Sequence, residues 1–219
     1  MSTSTWDRRA PLTGLVFVVL AVAGNALQGS TPALHGETEA VARFYADKAT
    51  TIAVGMMLSL VSMFFLAWFL GSLRRQLAAS EGGDGWMTSV ASAGGVATLC
   101  LLAAGFALNS AGALRAREAG ITGDVAAVFY DGSLALTGLA ASLTMAVLLA
   151  ATAAITVRFG ALPRWFGLTS AVLALLGIVT PVSFVLSLVF PIWVAVAAVL
   201  LMRAQTRTGT DLRAGAHRN

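Results

Sequence analysis

Long apolar stretches that lack charged residues constrain the fold of this chain more than any other feature. A helix needs ~20 mostly apolar residues to cross the hydrocarbon core of a bilayer, and several stretches here reach that length. Inside lipid, every backbone polar group needs a partner within the protein, so spanning segments are helices or closed barrels. Barrel strands alternate polar and apolar residues, and these stretches do not. The sequence therefore predicts an all-α, polytopic membrane helical bundle.

Composition excludes an ordinary soluble domain. Of the 219 residues, 58% are hydrophobic and only 11% are charged, whereas soluble proteins carry ~25% charged residues. The net charge of +4 does not indicate nucleic-acid binding, because the basic residues flank the apolar stretches and form no single patch. The lone cysteine, Cys100, lies in an apolar stretch, which is typical of a small buried side chain.

Six transmembrane helices are predicted, arranged as three hairpins. The stretch from Pro163 to Arg203 is too long for one crossing, and Pro181 near its middle indicates a turn. The predicted spans are residues 11–28, 50–73, 87–109, 133–157, 164–180 and 183–202, in a single membrane domain of residues 1–203. Residues 204–219 are predicted to form a flexible cytoplasmic tail.

The distribution of arginine and lysine predicts the orientation. With both termini in the cytoplasm, the inner segments hold Arg8, Arg9, Arg74, Arg75, Arg158, Arg164, Arg203, Arg207, Arg213 and Arg218. The outer loops then hold Arg43, Lys48, Arg115 and Arg117. This excess follows the positive-inside rule, whereas five spans would put the basic C-terminal segment outside. Trp6, Trp86 and Trp165 fall at the predicted inner boundaries, where indoles are favoured.

Two short motifs indicate an internal repeat. Residues 23–28 match residues 104–109 at Ala, Gly, Ala and Leu, with Gln28 opposite Asn109. Phe44-Tyr45-Ala46-Asp47 resembles Phe129-Tyr130-Asp131, and these motifs hold both tyrosines of the chain. The first hairpin is therefore predicted to repeat in the second in parallel, about an axis along the membrane normal. The third hairpin is either a degenerate third copy or an added clamp.

The first span has a second interpretation, as a cleaved signal peptide. Arg8-Arg9 precede it, and Ala21-Val22-Ala23 resembles a cleavage site. The repeat favours retention of this span, because its counterpart lies inside the chain and cannot be a signal.

The candidate binding residues are six polar side chains predicted to lie at the outer face: Gln28, Tyr45, Asp47, Asn109, Tyr130 and Asp131. In one account, residues 36–46 and 124–130 form amphipathic helices in the membrane interface. Asp47 and Asp131 then cap the spans that follow, and the tyrosines belong to an aromatic belt. In the other account, the tyrosines and aspartates converge on the repeat axis and bind a ligand from outside. Gln28 and Asn109 either pair helices or line a polar vestibule.

Several kinds of chemistry lack a signal. No ionisable residue lies well inside a predicted span, which argues against proton-coupled transport. No phosphate-binding loop occurs. His35 is the sole histidine predicted outside, near Glu37 and Glu39, and a lone loop histidine seldom binds metal. We expect no catalytic residue, no metal and no cofactor.

Three functions remain open. The first is a non-catalytic module that binds membrane lipids or a partner, the partner being another membrane protein or a second copy of this chain. The second is a transporter or exporter of a small or lipophilic solute. The third is an intramembrane enzyme that acts on a lipid or isoprenoid, with Asp47 and Asp131 as paired acids.

The pattern of short motifs resembles a group of multi-span membrane proteins of actinobacteria to which no function is attached. The shared motifs are Ser30-Thr31-Pro32, Phe44-Tyr45-Ala46-Asp47 and Leu162-Pro163-Arg164-Trp165. The resemblance implies a bacterial plasma-membrane protein and no particular activity. In that group the residue after the aspartate is often histidine, and here it is Lys48, which argues against an Asp–His pair.

Overall fold

Helices make up almost all of the chain in a computed structural model that describes residues 9–33, 36–179 and 183–216. The helices are α1 (Leu12–Gln28), α2 (Thr38–Glu81), α3 (Trp86–Ala119), α4 (Gly123–Leu134), α5 (Ala141–Phe159), α6 (Arg164–Ile178) and α7 (Ser183–Ala216). A π-helical turn, Ala135–Ala140, joins α4 to α5 into one continuous rod. No strand occurs within the described ranges, so the predicted all-α class is confirmed for them.

Within the described residues, four helical segments are long and apolar enough to cross a membrane: Thr38–Glu81, Trp86–Ala119, Gly123–Phe159 and Phe184–Ala204. The helices α1 and α6 are also apolar, but they have only 17 and 15 residues. The protein is therefore a membrane-embedded helical bundle. The predicted turn at Pro181 lies outside the described residues.

The helices form a ring in chain order. Each helix packs against the next, and α7 packs against α1 to close the ring. The core holds a stack of aromatic rings in which Trp193 lies against Phe166 and Phe190, with centroids 5.4 and 5.9 Å away. The indole N–H of Trp193 donates to Ser170 Oγ (2.8 Å), so this buried donor is satisfied.

The two ends of the bundle differ in chemistry. Gln76 Nε2 donates to the Ala161 carbonyl (3.1 Å), which brings the end of α2 next to the α5–α6 turn. We call this end of the bundle the arginine end, because described arginines flank the helices there: Arg74, Arg75, Arg158, Arg164 and Arg203. The opposite end carries Tyr45 and Tyr130, and we call it the tyrosine end.

The turn between α2 and α3 is held by Glu81. Its Oε1 accepts from the Met87 amide (2.9 Å), and its Oε2 accepts from the Thr88 amide (2.8 Å) and hydroxyl (2.5 Å). Desolvation raises the pKa of the Glu81 carboxyl, but these hydrogen bonds from Thr88 and Met87 outweigh it and lower the pKa below its ordinary value. The carboxylate thereby satisfies free amides at the start of α3.

The structure corrects the predicted interfacial helices. Residues 38–49 form the first turns of α2 with no break before the predicted span, and residues 123–134 continue through the π-helical turn into α5. The apolar face of residues 41–45 packs against α3 and α4, as the burial of Val41, Ala113 and Ala126 shows. The amphipathic pattern was interpreted correctly as helix, but the apolar face contacts protein and does not lie flat on lipid.

The proposed caps are wrong for the same reason. Asp47 lies inside α2 and Asp131 lies inside α4, whereas the residues that precede these helices are Glu37 and Thr122. A side chain can cap only the first free amides of a helix, and both aspartates lie a turn or more beyond them.

Three further details differ from the sequence-based expectations. Asn109 does not end its helix, because α3 continues to Ala119 and packs there against α2 and α4. Residues 204–216 of the predicted flexible tail continue α7 as helix. Cys100, predicted to be buried, is exposed on α3, since its face of the helix has no neighbour in the ring.

Candidate functional site

Three aromatic rings pack together at the tyrosine end. Phe44 lies 5.7 Å from Tyr45 and 6.0 Å from Tyr130, and the two tyrosine rings meet edge to face at 6.5 Å between centroids. These separations and angles are favourable for aromatic pairs. The α2 and α4 segments that carry the repeated Phe-Tyr motif are therefore in direct contact.

A chain of hydrogen bonds starts at Tyr45 and runs through α3 to α1. The Tyr45 hydroxyl donates to Asn109 Oδ1 (2.8 Å), and Asn109 Nδ2 donates to Gln28 Oε1 (3.2 Å). Gln28 Nε2 donates to Asn25 Oδ1 (3.4 Å), and Asn25 Nδ2 donates to the Ala21 carbonyl (2.9 Å). Because the chain joins three helices, it fixes their relative positions at this end.

The segment after α1 is held from two sides. Lys48 Nζ donates to the carbonyls of Gln28 (3.2 Å) and Ser30 (3.0 Å), and it lies 5.4 Å from the Phe44 ring centroid. An ammonium at this place satisfies free carbonyls at the C-terminal end of a helix and complements its dipole. On the other side, the Tyr130 hydroxyl donates to the Pro32 carbonyl (2.7 Å).

Lys48 and Pro32 are the site residues that sequence reasoning missed. Lys48 was considered only as a departure from histidine, and Pro32 only as part of a motif. The available signal was the presence of a single lysine in a chain rich in arginine, at the start of the long apolar stretch of α2. Its partners are backbone carbonyls, which no side-chain pattern identifies.

The two aspartates lie in different surroundings. Asp47 is exposed and lines a polar depression of about 360 Å³ together with Lys48, Thr50, Thr51 and Arg117. Asp131 is half-buried and does not line this depression, but it lies close enough to both tyrosines to act on them electrostatically. The structure thus brings Asp131 to the tyrosine cluster and places Asp47 on a separate surface.

The other four predicted site residues are buried. Tyr45 is 0% exposed, Tyr130 3%, Gln28 7% and Asn109 8%. Their polar atoms already bond to one another, to Asn25 or to the backbone, so they offer no free group to a ligand. This arrangement is suited to locking helices together.

An apolar groove of about 390 Å³ lies between α2 and α3 toward the arginine end. Its floor includes Leu73, Ala91 and Leu148, each no more than 2% exposed. Arg74 and Ser92 supply the polar side chains of its lining. No sequence pattern predicts this groove, because it depends on which small residues of two helices face each other.

Within the described residues, no group of three or more His, Cys, Asp and Glu side chains is arranged to hold a metal ion, and His35 lies outside those residues. The geometry therefore offers two features to interpret: the buried tyrosine cluster and the open apolar groove.

No protein-family model, no curated protein and no solved structure matches this chain.

Proposed function

We propose that this chain is a non-catalytic module of a bacterial plasma membrane that binds a lipid or a membrane protein partner. The groove between α2 and α3 carries the proposal, since it is the apolar, partly open space that such a ligand needs. Gln28, Tyr45 and Asn109 support it indirectly, because they are buried and bonded to one another and so offer no free group for a reaction.

The proposal includes six spans, with α1 and α6 as the two shorter ones and with the arginine end in the cytoplasm. Trp86 and Trp165 support a membrane boundary at the arginine end, because they lie in the first turns of α3 and α6 and are 64% and 54% exposed. Exposed indoles at the ends of membrane helices are typical of the boundary between the membrane and water. The resemblance to actinobacterial multi-span proteins is in line with a plasma-membrane location.

The parallel repeat is part of the proposal as well. Two pairs of residues that correspond in the repeat are in contact: Gln28 bonds to Asn109, and the Tyr45 ring meets the Tyr130 ring. Corresponding residues meet when they lie near a symmetry axis, so both contacts favour an axis through the tyrosine end. The closed ring of three hairpins favours a degenerate third copy over an added clamp.

Cysteine labelling tests the orientation. On a Cys100→Ala background, which removes the exposed native thiol, a membrane-impermeant reagent applied from outside is expected to modify cysteines placed at Glu37 and Glu118. It is expected to leave cysteines at Gly83 and Thr210 unmodified until the membrane is permeabilised. Labelling of Thr210→Cys from outside in intact cells would contradict six spans.

Native mass spectrometry tests the function. Protein extracted from its own membrane in mild detergent is expected to retain a lipid or a protein partner in fixed stoichiometry. The proposal fails if the protein retains neither and instead raises solute flux in proteoliposomes or converts an added lipid. Flux would indicate the transporter, and conversion would indicate the enzyme.

A further inference from the structure

We infer that the groove between α2 and α3 holds an acyl chain of an anionic phospholipid whose phosphate lies on Arg74. This inference rests on the proposed lipid-binding function. It adds the lipid class, the leaflet and the residues that select the lipid.

The length of the groove suits one acyl chain. Helix α2 lines it from Ala67 to Leu77, a rise of ~15 Å at ~1.5 Å per residue. The hydrocarbon core is ~30 Å thick, so one leaflet contributes ~15 Å. An acyl chain whose phosphate lies at Arg74 therefore contacts the groove from Arg74 to Ala67, a rise of ~10 Å, or about two thirds of the depth of its own leaflet.

Gly71 keeps the groove open. A Cβ atom built at Gly71 has no neighbour within 4 Å, although this glycine lies in the interior of α2 and lines the groove. A glycine inside a helix costs ~1 kcal/mol relative to alanine. No close approach to another helix explains this glycine, whereas space for a ligand does.

Arg74 determines the expected headgroup. It is exposed, and no hydrogen bond or ion pair joins it to any residue in the described part of the chain. The other polar lining residue, Ser92, already donates to the Thr88 carbonyl (2.8 Å). An arginine beside an apolar surface in a membrane normally pairs with an anion, and its guanidinium matches a phosphate well.

The position of Arg74 also determines the leaflet. The arginine end gathers the positive charges of several helices, and the cytoplasmic leaflet carries anionic lipids that such basic sites attract. With the proposed orientation, the phosphate of an inner-leaflet lipid lies at the level of Arg74.

The charge of Arg74 argues against a partner helix as the occupant. A partner helix would bury Arg74 against protein, where the charge needs an acidic group. A lipid brings both the narrow chain and the anion.

Native mass spectrometry with added lipids tests the inference. Purified protein in detergent is titrated with phosphatidylglycerol or with phosphatidylcholine of the same acyl chains. Wild-type protein is expected to retain one lipid and to favour phosphatidylglycerol by about fivefold, the effect of one arginine at an anionic headgroup.

Two variants distinguish the contribution of the acyl chain to lipid binding from that of the headgroup. Gly71→Leu fills the groove and is expected to abolish retention of both lipids, whereas Ala93→Leu places the same leucine side chain at an exposed position of α3 outside the groove lining. Arg74→Gln is expected to remove the fivefold preference while phosphatidylcholine binding persists. Arg164→Gln removes an equal charge from the same end and is expected to leave the preference intact.

Each failure has its own meaning. Unchanged lipid retention in Gly71→Leu overturns the groove as the site, although a lipid-binding function would stand. An unchanged headgroup preference in Arg74→Gln overturns the role of Arg74. A wild-type dimer that retains no lipid and becomes monomeric in Gly71→Leu shows that a second copy occupies the groove, which overturns the lipid and keeps the partner-binding function.

Discussion

Gly55→Leu is expected to lower the free energy of unfolding by about 3 kcal/mol or more, because overpacking at a backbone contact cannot be relieved by a side-chain shift. A Cβ atom at Gly55 would lie 2.5 Å from the Gly24 carbonyl oxygen, and a Cβ atom at Gly24 would lie 2.5 Å from the Gly55 carbonyl oxygen. The backbones of α1 and α2 therefore touch at this crossing, as small residues permit in membrane helices. A leucine forces the two helices apart, and Gln28 moves away from Asn109 with them.

The same substitution in the same helix provides the control. In Gly71→Leu the new side chain meets open space. This variant is therefore expected to be more stable than the wild type by up to ~1 kcal/mol, the gain in helix propensity. Unfolding of both variants in mixed detergent micelles, followed by circular dichroism, measures the difference. If Gly55→Leu is as stable as Gly71→Leu, the close contact between α1 and α2 does not exist.

Asn109→Leu is expected to cost about 2 kcal/mol, since a buried polar group without a partner costs ~1–3 kcal/mol. The substitution removes the acceptor of Tyr45, whose side chain is 0% exposed, and the donor to Gln28. Membrane hydrogen bonds average only ~0.6 kcal/mol each, so most of the expected loss comes from the groups left behind. The measurement is again equilibrium unfolding in mixed micelles.

Asn25→Leu is the matched control for this prediction. Asn25 is exposed, and both of its hydrogen bonds, to the Ala21 carbonyl and from Gln28 Nε2, lie within α1, so its loss breaks no bond between helices and is expected to cost less than the loss of Asn109. Adding Tyr45→Phe to Asn109→Leu is expected to recover part of the stability, because the stranded hydroxyl is then absent. Equal stability of Asn109→Leu and Asn25→Leu would mean that the chain of hydrogen bonds does not lock the helices.

The helical membrane class could be predicted from the sequence because it depends on local properties. The length and polarity of a stretch decide whether it can cross a bilayer, and the apolar stretches around Leu66, Leu102 and Leu149 lie in the helices expected for them. The comparison of short motifs left two accounts of the repeated tyrosines open, an aromatic belt and convergence on the repeat axis. Only the assembled bundle shows that the two rings are in contact.

The tertiary structure decided which surfaces those helices bury. The face of α2 around Tyr45 is equally suited to a membrane interface or to a protein neighbour, and only the positions of α3 and α4 select the second. Lys48 bonds to backbone carbonyls, and Gly55 and Gly71 look alike in the sequence although one touches a backbone and the other faces open space. Such differences arise from contacts between distant segments, so they depend on the assembled bundle and are not encoded in any local pattern.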